Sequence, residues 1–101
     1  MNQAEQFVEK LTQFESSSAL ADFLYGQGIT GYLGHSSLCP LSALAQRWFP
    51  QEDAEAWSIG TQDALLINAI SKTAEQAPLP RVAKDFVDNF DSKHYPHLIR
   101  A

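Results

Sequence analysis

The chain has a single cysteine, Cys39, so no internal disulfide framework can form. That fits a reducing compartment. Long hydrophobic runs are also missing, with no stretch of about eighteen apolar residues to span a bilayer. The residues Met1 to Gln6 carry neither the basic start nor the apolar run of a secretory signal. These absences lead to the expectation of a cytoplasmic protein that does not use a membrane. Basic residues are few and scattered, at Lys10, Arg47, Lys72, Arg81, Lys84, Lys93 and Arg100, and the net charge is −5. Nucleic-acid binding draws much of its affinity from clustered cations on phosphates, so a nucleic-acid partner is not expected.

What is present is ordinary globular material. With 101 residues, 45% of them hydrophobic and 19% charged, the chain is expected to form one domain over residues 1–101. Two Trp, three Tyr and six Phe supply enough bulk for a core, so folding calls for no metal or cofactor.

Hydrophobic spacing predicts a first helix through Ala4, Phe7, Val8, Leu11 and Phe14. Ser16, Ser17 and Ser18 interrupt it and offer a cap for a second helix with Ala19, Leu20, Phe23 and Leu24 on its apolar stripe. Gly26 or Gly28 is suited to end that helix. Pro40 opens a third, with Leu41, Leu44, Ala45 and Trp48 inward, and Pro50 stops it. Trp57 to Gly60 and Ala64 to Ile67 read as two strands of a hairpin. Residues 63–70 also admit a short helix capped by Asp63, with Leu66, Ile67 and Ile70 on one face. Residues 71–79 read as a linker. Val82, Ala83, Phe86, Val87 and Phe90 mark a last helix beginning near Pro80, and the tail Tyr95 to Ile99 has apolar reasons to fold back on the core. The expected architecture is α+β, about four short helices around a two-stranded antiparallel hairpin.

One stretch stands apart. Residues 23–46 contain no Asp, Glu, Lys or Arg. The segment from Gly26 to Ser37 holds four of the five glycines and is expected to be a loop. A charge-free loop of this length is either a binding surface or core folded under itself. Both readings stay open. Tyr25, Tyr32 and His35, with Trp48 nearby, form the candidate partner-binding set, because rigid aromatic side chains lose little entropy on contact.

Sharper motifs are outweighed by plainer readings. Gly26-Gln27-Gly28-Ile29-Thr30-Gly31 is a literal G-x-G-x-x-G, but a helical pattern precedes it where a dinucleotide site needs a strand. Cys39 at a helix start, four residues after His35, is the beginning of a thiol–base pair. A small buried thiol beside Leu38 and Leu41 is the stronger alternative. His94 and His97 could share a metal with Asp91 or Cys39, yet Pro96 breaks the helix that would align them, so no metal site is assigned. Glu52, Asp53, Glu55 and Asp63 lack the spacing of a calcium loop. The helices at Leu20–Leu24 and Leu41–Trp48 are too widely separated for a helix-turn-helix.

The glycine loop, the Cys39-Pro40-Leu41 helix start and the closing run from Phe86-Val87 through Phe90-Asp91 to Tyr95-Pro96 together resemble a group of short bacterial proteins that share these three elements. The resemblance implies a compact α+β domain and brings no activity with it. The functional expectation is therefore a small protein-interaction module, a regulator, inhibitor or accessory subunit, with a homodimer through the same loop as a variant of it. The alternative is a thiol-dependent enzyme using Cys39 with His35.

Overall fold

The computed structural model describes residues 2–34, 38–51 and 54–100. Asn2 opens α1 (Gln3–Leu11) with a reciprocal cap. Its side chain accepts from the Glu5 amide at 2.8 Å, and the Glu5 carboxylate accepts from the Asn2 amide at 3.0 Å, satisfying two amides that a helix start leaves unpaired. A long-range tie joins them: Glu75 Oε1 accepts from the Gln3 amide at 2.6 Å. Ser16 caps α2 (Ser17–Gly26) through the Ala19 amide. Gly28, at φ 70°, ends it in a left-handed turn, with Ile29 N donating to Leu24 O and Gly28 N to Tyr25 O, the double closure that favours glycine at this position. Cys39 and Pro40 start α3 (Pro40–Trp48), and α4 (Arg81–Asp91) follows Pro80.

The strands are β1 (Glu55–Ile59), β2 (Asp63–Asn68) and β3 (Thr73–Pro78), an antiparallel sheet in the order β1-β2-β3. This corrects the expected two-stranded hairpin. The third strand occupies the residues read as a linker. It is an edge strand in which only Ala77 is buried, so it shows neither the β-branched enrichment nor the apolar alternation that marks a strand. The ambiguity at 63–70 also resolves. Residues 63–68 are strand, with Ala64 and Leu66 buried opposite Ile59 and Trp57, and Asn68 then turns the chain by accepting from the Ile70 and Ser71 amides at 3.0 Å each.

The inner face of the sheet meets α1 and α3, and α2 packs on α4. At the centre Trp57 is fully buried, 5.4 Å from the Phe7 ring, with its indole N–H donating to Phe49 O at 3.3 Å. The tail does fold back. A 3-10 turn, Pro96–Leu98, carries the chain to a parallel bridge between Ile99 and Gly31. Tyr95, stacked on Phe86 at 5.4 Å, donates its hydroxyl to Ser17 Oγ at 2.9 Å. Among the described residues no helix is long and apolar enough to cross a membrane.

Two substitutions test this account. A Cβ at Gly31 would stand 2.5 Å from Pro40 Cδ and 2.7 Å from Leu38 O. Gly31→Ala is therefore expected to destabilise by about 1–3 kcal/mol in urea unfolding, the range for overpacking. Lys93 holds a left-handed conformation at φ 65° just past α4, where its side chain is strained. Lys93→Gly should add about 1 kcal/mol of stability in the same experiment.

Candidate functional site

Tyr25, one residue before the end of α2, is 61% exposed, and its ring stands edge-on to His97 at 5.0 Å. Tyr32 is 37% exposed. Its backbone N donates to Leu38 O at 2.9 Å, which ties residue 32 to residue 38 and sets Leu38, itself exposed, beside Tyr32. Arg100 N donates to Gly31 O at 2.7 Å. Tyr32, Leu38, Gln46 and Arg100 then line a groove of about 150 Å³. The tail thus touches Tyr25 through His97 and, three residues on, lines the Tyr32 groove through Arg100. Arg47 reaches the end of α2, its guanidinium Nη1 donating to Gln27 O at 2.9 Å, a cation at the helix's negative end.

Trp48 stands elsewhere. At the last residue of α3 it is partly buried, 5.9 Å from Phe7 and 6.2 Å from Phe23, with Lys10 Nζ 4.5 Å above its ring. It therefore belongs to the aromatic cluster under α1, away from the Tyr32 groove. His35 lies outside the described residues, as do Glu52 and Asp53. Leu38, His97 and Arg100 were missed as neighbours of the two tyrosines. For His97 and Arg100 the signal was the tail's apolar run, which called for docking but did not say against what.

Cys39 occupies the N-cap of α3, with its Sγ 3.4 Å from Ser42 Oγ and donating to Ile59 O at 3.8 Å. Burial pushes its thiol above the ordinary value of 9.0, and the Asp91 charge pushes the same way. The Ser42 side chain and the Ser42 and Leu41 amides at the helix start pull it down by less. The helix start does favour a thiolate here, and desolvation wins. No other described group lines the same cleft with a displaced protonation except Asp91, whose carboxyl is raised by desolvation against the apolar wall and then by Asp88. Cys39, Gly34, Gly60 and Thr61 border this cleft of about 190 Å³, with Ile59, Phe86, Val87 and Phe90 as its apolar walls.

Neither family models, curated proteins nor solved structures give a match.

The two tail histidines do not converge. His94 Nδ1 lies 3.2 Å from Asn89 Oδ1, whereas the His97 ring stands edge-on to both Tyr25 and Tyr95. Among the described residues no three His, Cys, Asp or Glu side chains are grouped to hold a metal ion. The literal G-x-G-x-x-G begins at the last residue of α2, so its glycines end a helix where a dinucleotide loop would begin one.

The direction of the Cys39 shift has a measurable sign. A thiol whose folded-state pKa is raised keeps its full stabilising effect below the unfolded value, near 9.0, and loses it as pH climbs toward the folded value. The thermal midpoint of the wild type should therefore fall faster above pH 9 than that of Cys39→Ala. Iodoacetamide should label Cys39 in the folded protein at pH 8 at least about ten-fold more slowly than in urea. Rapid labelling of the folded chain at that pH would remove this account of the thiol.

Proposed function

We propose that the chain is a small protein-binding module, a regulator, inhibitor or accessory subunit, that meets its partner along the edge formed by Tyr25, Tyr32 and Leu38. The observation that carries this reading is where large apolar side chains are left in water. Of the five exposed ones among the described residues, three are Tyr25, Tyr32 and Leu38, and the tail reaches both tyrosines. Tyrosines bring large contact area with few torsions to freeze. Arg47 and Arg100 give the same edge a basic border in a chain of net charge −5, which suits a partner with carboxylates around an apolar centre. A thiol-dependent enzyme draws less support, because the Cys39 thiol is held neutral where a nucleophile needs it ionised.

Side chains on this edge contribute little to the core, so Tyr25→Ala and Tyr32→Ala should each leave the circular dichroism spectrum and urea midpoint near wild type. Affinity capture from native extract, read by mass spectrometry, should then recover one protein with the wild-type chain and lose it with either variant. With the purified pair, each substitution should weaken binding about thirty-fold, the effect of an anchor worth about 2 kcal/mol. Light scattering of the chain alone separates a foreign partner from a second copy: the first predicts a monomer, the second a dimer that Tyr32→Ala dissociates. If Tyr32→Ala unfolds the chain, or if captured proteins are unchanged by both variants, the edge is not the binding surface.

A further inference from the structure

The cleft between α4, the β1–β2 turn and the start of α3 lies outside the tyrosine edge and plays no part in the proposal above. Its walls are Ile59, Phe86, Val87 and Phe90, and its volume of about 190 Å³ compares with the roughly 150 Å³ of a cavity that accommodates benzene. A ring or short branched alkyl group fits such a space.

Among the described residues that line the cleft, the one ionised side chain is acidic. Asp91, exposed at the mouth, is the last residue of α4, and Asp88 lies one turn before it. The last turn of a helix is its negative end, where an anion is unfavourable and a cation favourable, yet no basic residue stands in the last turn of α4. Among the described residues no Lys, Arg or His comes within ion-pair distance of Asp91; the nearby pair on this helix joins Arg81 and Asp85 at the opposite end. The other described polar side chains that line the cleft, the Cys39 thiol and the Thr61 hydroxyl, carry no charge that answers it. The carboxylate is therefore set against the helix dipole, a second carboxylate and a hydrocarbon wall, three unfavourable terms that one cation relieves together. A bare metal ion does not suit the place, since one carboxylate beside a protonated thiol offers too few donors. An anionic ligand would meet two like charges.

We propose that this cleft is a binding site for a small organic amine, its apolar body against Ile59, Val87, Phe86 and Phe90 and its ammonium group on the Asp91 carboxylate. The ring or alkyl portion supplies affinity by leaving water. The ammonium supplies selectivity over a neutral or acidic compound of the same shape.

The experiment is a methyl-detected NMR titration of the full chain, following Ile59 and Val87, with benzylamine, benzyl alcohol and benzoate at neutral pH and low salt. Benzylamine should shift both methyl groups saturably and bind about five-fold more tightly than the alcohol, the ratio an exposed ion pair supports. Benzoate should bind more weakly than either. Asp91→Asn, at an exposed position where losing an anion suits the helix dipole, should keep the fold and bring amine and alcohol to equal affinity. Bound amine should also slow Cys39 alkylation in urea-free buffer, because the thiol lies on the cleft's inner side. Equal binding of the three compounds by the wild type, an amine preference that survives Asp91→Asn, or no shift of either methyl at the solubility limit would each overturn the assignment. The tyrosine variants should leave this titration unchanged, so failure here and failure of the protein-binding reading are separately visible.

Discussion

The close approach at Gly31 is the constraint on which the remaining architecture depends. Three segments meet there: the loop after α2, the tail after α4, and the start of α3. Gly31 N donates to Leu98 O, Gly31 O accepts from Arg100 N, and Pro40 packs where any side chain at Gly31 would stand. The two backbone hydrogen bonds satisfy a loop that lies partly inside, where unpaired amides cost about 1–3 kcal/mol each. The contact with Pro40 fixes where α3 begins, and hence how Leu41 and Leu44 enter the core and where the Cys39 thiol points. The hydrogen bond from Tyr32 N to Leu38 O extends the same junction outward, to the surface where the exposed tyrosine sits.

Much of this was legible in the sequence, and for identifiable reasons. The four helices announce themselves through apolar spacing and through caps whose chemistry is local: Ser16 before α2, Pro40 at the start of α3, Gly28 after α2. The hairpin of β1 and β2 was legible in part: Trp57 and Ile59, Ala64 and Leu66 alternate inward, but residues 63–70 also admitted a short helix. The third strand was not legible, because Thr73 to Pro78 gets its place from its neighbour. It pairs along β2 through backbone groups that every residue possesses, and its Glu75 side chain serves α1 from 72 residues away. Strand propensity describes fit to a half-buried surface, and this strand presents mostly exposed positions.

The candidate surface was half legible, for a similar reason. Composition alone marks residues 23–46 as unusual and draws notice to Tyr25 and Tyr32, but it leaves open whether they face water or the core; the structure exposes both. Composition cannot distinguish them from Trp48, which has the same chemistry but lies at the far end of α3 and is drawn under α1 by Phe7 and Phe23. Nor can it bring in His97 and Arg100, whose part depends on a bridge between residues 31 and 99. Likewise the cleft walls come from two elements distant in the chain, β1 and α4, and only the pairing of Asp88 with Asp91 on one side of α4 could have been read from spacing.

Exposure in and beside the charge-free loop divides residue by residue. Ile29 and Gly31 are buried, while Tyr25, Gly28, Tyr32 and Leu38 face water. The reason lies in what anchors the loop. Side-chain burial holds it at Ile29 and, in part, at Leu33, while the stretch around Gly31 is held by backbone hydrogen bonds to the tail and by a glycine pressed on Pro40. With the backbone so tied, Tyr32 and Leu38 remain outside, in a geometry that would be set before the proposed partner arrives. Preorganisation of that kind lowers the entropy lost on association. It also explains why the burden of stability falls on Gly31, which has no side chain to offer a partner, while the residues proposed to meet one carry little of it.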